Sequence, residues 1–157
     1  MSDDRDTDAD ETALGRIETE VALLMRLGEA TRRATGTAEH RVLDRAAYVI
    51  LRHLDTAGPQ NVSALAARLN LDGSTVTRQV SALQRDGLIT RTPDPSDGRG
   101  TVISPTPAGL ERMAAVQAAR TRLYGDMLAD WSAEDRADLA TMLGRLNQAL
   151  TARNRPR

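Results

Sequence analysis

Helix-capping residues and glycines divide the middle of this 157-residue chain into short segments. Asn61 and Asp72 are residue types that favour the N-cap position, where the side chain accepts a backbone N–H of the first helical turn. The sequence Asn-Leu-Asp-Gly at 70–73 predicts a tight turn, and Gly87 predicts the end of a helix that begins at about residue 73. The spacing therefore predicts a short helix, a tight turn and a second short helix.

A β-hairpin is predicted directly after the second helix. Residues 88–92 and 101–104 form two short strand-like runs, and the polar, turn-rich residues 93–100 separate them. Thr106 followed by Pro107 then signals the start of a long helix that extends to about residue 130. The order predicts a mainly α fold with a small β-hairpin wing, which is a winged helix-turn-helix.

Amphipathic helices flank this region on both sides. The first is expected over about residues 13–35, and Asp44 and Ser132 predict the starts of two further helices. The two terminal helices carry apolar stripes at helical spacing, namely Leu14, Ile17, Val21 and Leu24, and Leu139, Met142, Leu143, Leu146 and Leu150. A lone winged domain would leave both stripes exposed. Either a bundle of the two chain ends or a second copy of the chain can cover them, and we expect a homodimer.

The composition agrees with a helical protein. Aromatic residues make up 2% of the chain, and Ala and Leu supply most of the apolar residues, which argues against an all-β sandwich. We expect the three aromatic residues to pack in the core rather than to line a ligand pocket; they are Tyr48, Tyr124 and Trp131. Cysteine is absent, which excludes disulfides, thiol catalysis and cysteine-based zinc sites. Because the sequence contains no long apolar run, we expect a cytoplasmic protein without membrane contact.

The net charge of −1 conceals an uneven distribution of charge. Residues 1–20 carry a net charge of −6 and residues 21–157 carry +5. Residues 1–12 are acidic and poor in large apolar side chains, so we expect them to form a disordered tail. The basic side chains of the remaining chain are all arginines, whose planar guanidinium suits phosphate and guanine.

The second helix of the helix-turn-helix has two unlike faces. At 100° per residue, Val76, Val80 and Leu83 form an inward stripe. The opposite face carries hydroxyls and guanidinium groups, from Ser74, Arg78, Ser81 and Arg85, with Thr75 and Thr77 at its flanks. These groups can contact bases and phosphates in the DNA major groove, although the solvated face of an ordinary amphipathic helix looks similar.

The hairpin loop favours the DNA interpretation. Arg99 at the tip can enter the narrow minor groove, where the potential is most negative. The glycines on either side of it allow a close approach of the backbone to DNA. We expect Asp97 to bond back to loop amides or to a nearby arginine, and so, with Gly98, to hold the wing in shape.

Taken together, these residues resemble the MarR family of bacterial transcriptional regulators over about residues 43–110. The similar motifs are Asp-Gly-Ser-Thr-Val-Thr-Arg-Gln-Val at 72–80, Gly-Leu-Ile-Thr-Arg at 87–91, Asp-Pro-Ser-Asp-Gly-Arg at 94–99 and Ser-Pro-Thr at 104–106. The resemblance implies DNA contacts at Ser74, Thr75, Thr77, Arg78 and Arg99. Ser81 and Arg85 are candidates only because they lie on the same helical face.

The resemblance also implies an organisation and a function. It implies a single domain over residues 13–157, in which 43–106 form the winged helix-turn-helix and 13–40 and 107–151 form dimerisation helices. It implies a homodimeric repressor that binds a palindromic operator in double-stranded DNA and is released by a small aromatic or phenolic effector. No cofactor, metal or catalytic site is expected.

Three alternatives remain open at this point. An enzyme is disfavoured because His53 and Asp55 are two apart on a helix, where side chains face different directions. A metal-responsive regulator of the same fold would use His40 and Asp44, which are four apart, but we expect Asp44 to cap a helix instead. A winged helix that binds proteins and not DNA is the third.

Overall fold

The computed structural model describes residues 3–34, 43–95 and 100–154. Helix α1 spans Asp3–Ala34 and belongs to a compact unit of its own, Met1–Arg41. It begins well before the start that the sequence predicts near residue 13, within the segment predicted to be a disordered tail.

The second unit, Val42–Arg157, contains five helices and a hairpin within its described residues. Its elements, in chain order, are α2 (Arg45–Ala57), α3 (Val62–Leu69), α4 (Gly73–Arg85), β1 (Ile89–Pro93), β2 (Thr101–Pro105), α5 (Pro107–Met127) and α6 (Ala133–Arg153). The two strands are antiparallel, with Arg91 opposite Ile103. This order confirms the predicted mainly α, winged helix-turn-helix fold. The first strand is shifted by one residue from its prediction, since it begins at Ile89 and ends at Pro93, and the second extends one residue further than predicted, to Pro105.

The predicted caps begin the helices. Asp44 accepts the N–H of Ala47 at 2.7 Å at the start of α2, and Thr106 accepts the N–H of Gly109 at 3.1 Å at the start of α5. Ser132 forms a reciprocal capping box with Asp135 at the start of α6. Helix α5 ends at Met127, slightly before the predicted end near residue 130. The guanidinium of Arg136 donates to the Leu128 carbonyl just beyond that end, at 2.8 Å.

A backbone bridge that the sequence does not predict extends the hairpin. The N–H of Gln60 donates to the Ile103 carbonyl at 3.2 Å, and the N–H of Ile103 donates to the Gln60 carbonyl at 2.8 Å. The segment between α2 and α3 therefore pairs with β2 as a single-residue third strand. The bridge fixes the hairpin against the helix-turn-helix.

The core lies where α2, α3, α4, the hairpin and the first half of α5 meet. Its most deeply buried side chains include Ile50, Leu51, Leu65, Val76, Val80, Ile103 and Val116. By contrast, no residue of α6 is fully buried in the described chain, although Leu139 and Leu146 are half-buried. Among the described residues, no helix is long and apolar enough to cross a membrane.

Candidate nucleic-acid interface

The turn between α3 and α4 sets the direction of the exposed helix. Asn70 adopts a left-handed conformation with φ of 52°, which asparagine tolerates better than most residues. The N–H of Leu71 donates to the Ala66 carbonyl at 3.0 Å and closes the end of α3. Asn61 and Asp72 cap α3 and α4 as predicted. The helix-turn-helix is therefore built by local signals that the sequence carries.

Helix α4 places the predicted residues on one exposed face. Val76 and Val80 are completely buried and Leu83 is nearly so, which confirms the predicted inward stripe. On the opposite side Thr75 is half-buried, and the exposed residues are Ser74, Thr77, Arg78, Ser81 and Arg85. The structure thus brings six of the predicted site residues together on α4.

The N-cap of α4 engages the first two hydroxyls of that face. The carboxylate of Asp72 accepts the Ser74 hydroxyl at 2.6 Å, the Thr75 hydroxyl at 2.5 Å and the Thr75 N–H at 2.7 Å. The hydroxyl of Ser74, followed by the hydroxyl and N–H of Thr75, holds the pKa of the Asp72 carboxyl well below its usual range. The cap is therefore a charged carboxylate with three donors around it.

The other two hydroxyls bond to the backbone of their own helix. Thr77 donates to the Gly73 carbonyl at 2.7 Å, and Ser81 donates to the Thr77 carbonyl at 2.8 Å. Serine and threonine often form this bond to the carbonyl four residues earlier in a helix. A serine or threonine in a helix can form this bond, but the sequence does not decide whether its hydroxyl bonds to the carbonyl or points to solvent.

The two guanidinium groups of this face are available to a partner. Arg78 and Arg85 are exposed, and neither forms an ion pair within the part of the chain that the structure describes. Guanidinium donors can bind phosphate or the O6 and N7 atoms of guanine with two hydrogen bonds. The face can therefore both attract a polyanion and form directional contacts with it.

The hairpin begins where α4 ends. The N–H of Leu88 donates to the Leu83 carbonyl at 2.9 Å, and both Leu88 and Ile89 are buried. At the other end, the N–H of Asp94 donates to the Gly100 carbonyl at 2.9 Å. The remaining predicted site residues, Asp97, Gly98 and Arg99, lie outside the described residues. Their roles in shaping the wing and binding DNA stay predictions.

The alternative sites gain little support from the geometry. His53 Nε2 lies 3.2 Å from Gln60 Oε1, whereas Asp55 forms an ion pair with Arg52 at 3.3 Å, so the two side chains have separate partners. Asp44 caps α2, and His40 lies outside the described residues. Within the described ranges, no group of three or more acidic or histidine side chains could hold a metal ion.

The aromatic residues depart in part from expectation. Tyr48 packs against the core, and the guanidinium of Arg120 lies 4.7 Å from the centre of its ring. Tyr124 and Trp131 are 56% and 45% exposed, so the expectation that they pack in the core is wrong. Tyr124 lies in the second half of α5 and Trp131 in the segment between α5 and α6, where no other described element of the second unit buries their rings.

Comparison with known proteins identifies the class of protein. Helices α3 and α4 and the hairpin beside them define a winged helix-turn-helix protein. Residues 43–101 match the MarR family. The uncharacterised HTH-type transcriptional regulator YxaD of Bacillus subtilis is 40% identical over 107 residues, which cover 68% of this chain and 75% of YxaD. The chain belongs to the MarR family of transcriptional regulators and is not an enzyme.

Solved structures agree with this assignment. A MarR family protein from Bacillus stearothermophilus superposes with a TM-score of 0.66 at 25% identity, over 87% of this chain and 96% of that one. The PcaV transcriptional regulator of Streptomyces coelicolor, in complex with its natural ligand, gives a TM-score of 0.62 at 26% identity. That match covers 82% of this chain and 91% of PcaV.

Proposed function

We propose that this chain forms a homodimeric repressor that binds a palindromic operator and is released by a small aromatic or phenolic effector. The observation that carries the proposal is the exposed face of α4, where hydroxyls alternate with two guanidinium groups that lack ion-pair partners among the described residues. Residues 73–85 contain no Asp or Glu, so no acidic side chain of α4 itself neutralises these two guanidinium charges.

The proposed DNA-binding region is 43–106. Helix α4 enters the major groove with a face formed by Ser74, Thr75, Thr77, Arg78, Ser81 and Arg85. Arg99 enters the adjacent minor groove, where a narrow groove concentrates negative potential. Asp97 and Gly98 shape the hairpin tip that presents it.

The proposed dimerisation regions are 13–40 and 107–151. In α6, Met142 and Leu150 are 55% and 48% exposed, and in α1 Leu14 and Ile17 are more than half exposed. Complete burial of a large aliphatic side chain contributes about 1.5–3 kcal/mol, so several per chain stabilise an obligate interface. In a homodimer, the apolar stripes of the second chain can cover those of the first.

The proposed mechanism is occupancy of a promoter. A dimer presents two α4 helices to half-sites about one DNA turn apart, so the spacing between the two winged regions decides the affinity. An effector can weaken DNA binding if it binds more tightly to a dimer whose winged regions have another spacing. The loss of DNA affinity is limited by the difference between its affinities for the DNA-binding arrangement and for that other arrangement. PcaV binds a natural ligand, which supports regulation of this kind here. A cysteine-based redox switch is excluded because the sequence has no cysteine.

Selection of bound duplexes from a random pool, followed by a salt series, tests the proposal. The selected sequence should be palindromic, and the affinity should fall about 100-fold or more between ~50 and ~200 mM salt because several phosphates are neutralised. Arg153→Ala, which removes an exposed arginine at the end of α6 and outside the proposed DNA-binding and dimerisation regions, serves as a control for loss of general positive charge. Affinity without salt dependence, or no enrichment of any duplex, would favour the protein-interaction alternative.

A further inference from the structure

The hydroxyls of the exposed α4 face share one feature, which is that each donates its proton to an acceptor within the same chain. Thr77 and Ser81 donate to backbone carbonyls of α4 at 2.7 and 2.8 Å. Ser74 and Thr75 donate to the Asp72 carboxylate at 2.6 and 2.5 Å. All four protons are therefore already engaged in hydrogen bonds within the described structure.

The direction of the protons decides which partners the hydroxyls can take. A hydroxyl has one proton and two acceptor lone pairs, and a phosphate diester oxygen can only accept. A hydroxyl whose proton is already bonded within the helix therefore offers a partner only its lone pairs. To donate to a phosphate, Thr77 would first have to break its bond to the Gly73 carbonyl, and Ser81 its bond to the Thr77 carbonyl.

Donors for these lone pairs exist on the base edges of the major groove. Adenine presents its N6 amino group there and cytosine its N4 amino group, whereas the major-groove atoms of guanine and thymine that form hydrogen bonds are acceptors. Every base pair carries one such amino group, and the base sequence decides on which strand it lies. An acceptor fixed on α4 consequently distinguishes a base pair from its reverse.

We propose that Thr77 and Ser81 accept hydrogen bonds from exocyclic amino groups of adenine or cytosine in the operator, and so help to determine its sequence. This inference rests on the proposed binding of α4 in the major groove. The two residues are four apart, which places them about 6 Å apart along the helix, so they contact different base pairs. The guanidinium of Arg78 supplies the donors that the hydroxyls lack.

Deletion of single amino groups from the selected operator tests this inference. Each adenine is replaced in turn by purine, and each cytosine by 2-pyrimidinone, and affinity is measured for the wild type and for Thr77→Val and Ser81→Ala. At one position per half-site, loss of the amino group should weaken the wild type about 2- to 10-fold and leave Thr77→Val unaffected. At a second position of each half-site, loss of the amino group should weaken binding of the wild type and leave binding of Ser81→Ala unaffected.

Two further variants separate the hydroxyl from general effects of substitution. Thr77→Ser keeps the hydroxyl and should respond to each deletion as the wild type does. Thr56→Val removes a hydroxyl that donates to the Arg52 carbonyl at 3.0 Å in α2, and it should also respond as the wild type does. Because Thr77 and Ser81 are exposed, their variants should keep the fold, which a thermal melt verifies.

The outcomes distinguish this inference from the function on which it rests. If the wild type binds the operator but Thr77→Val and Ser81→Ala lose the same affinity as the wild type at every position, the acceptor role is overturned and DNA binding stands. If the wild type binds no duplex even at low salt, the proposed function fails and the acceptor role fails with it.

Discussion

The α-carbon of Gly109 packs directly against the backbone carbonyl of Leu88. A β-carbon at position 109 would overlap the Leu88 oxygen and would lie 3.0 Å from its carbonyl carbon. Thr106 bonds to the same segment, since its N–H donates to the Leu88 carbonyl at 3.0 Å and its hydroxyl to the Gly87 carbonyl at 2.7 Å. The start of α5 is therefore fixed to the backbone that joins α4 to the hairpin.

Gly109→Ala should lower the free energy of unfolding by about 1–3 kcal/mol because the backbone must shift to admit a methyl group. Denaturant unfolding measures the change. Gly125→Ala in the same helix is the matched control, because its β-carbon would meet nothing within 4 Å among the described residues. We expect that control to be as stable as the wild type, or more stable by up to about 1 kcal/mol. Equal stability of the Gly109 variant and the wild type would contradict the close approach.

Asp72 should make the stability of the fold depend on pH at the acidic end. Its carboxyl has a lower pKa in the folded state than in the unfolded chain, where about 3.9 is usual. The charged cap therefore stabilises the fold above about pH 4, and this contribution is lost as the pH falls through the lowered pKa. The difference in unfolding free energy between the wild type and Asp72→Asn should be largest near neutral pH and shrink below about pH 4.

A companion variant identifies the cause of that pH dependence. Ser74→Ala removes the hydroxyl that contributes most to the lowered pKa, so its stability should depend less on pH in the acidic range. Urea unfolding at several pH values provides the measurement. A difference between the wild type and Asp72→Asn that stays constant from neutral pH to pH 2 would show that the carboxylate is not held by these hydroxyls.

Arg78→Ala should weaken operator binding by about 1–3 kcal/mol and relax the preference at one base position of each half-site, as expected when an arginine that binds guanine is removed. Arg99→Ala should weaken binding with less effect on the preference in the major groove. Fluorescence anisotropy with matched and single-substituted operators measures both effects. A folded Arg78→Ala, Arg99→Ala double variant with wild-type affinity would refute the assignment of these two residues.

Leu150→Asp should shift the protein from dimer to monomer, because it places a charge on the exposed apolar stripe of α6. Gln148→Asp is the matched control, since it adds the same charge on the opposite face of the same helix. Sedimentation velocity measures the mass of each variant. A monomeric wild type, or a Leu150→Asp dimer as stable as that of the control, would show that this stripe is not the dimer interface.

Local signals in the sequence predict much of this fold. Asp44, Asn61, Asp72 and Thr106 cap the helices that they were expected to cap, because capping depends on a side chain and the next few backbone N–H groups. The inward face of α4 is predicted equally well, since helical periodicity alone assigns it.

Contacts between distant segments are what the sequence leaves undetermined. The bridge between Gln60 and Ile103 and the close approach of Gly109 to Leu88 depend on how the helices and hairpin pack. The exposure of Tyr124 and Trp131 has the same origin, because it depends on how the second half of α5 and the segment after it pack against the core. The hydrogen bonds that the α4 hydroxyls donate within the chain follow from side-chain rotamers, which a helical wheel does not specify.

The mass of the protein–operator complex, measured by light scattering at low salt and again at high salt, tests the central claim most directly. We predict two chains per palindromic duplex at low salt and dissociation to free duplex and free dimer as the salt concentration rises. One chain per duplex, or a complex of unchanged mass at both salt concentrations, would contradict the claim that a dimer binds one duplex with two α4 helices.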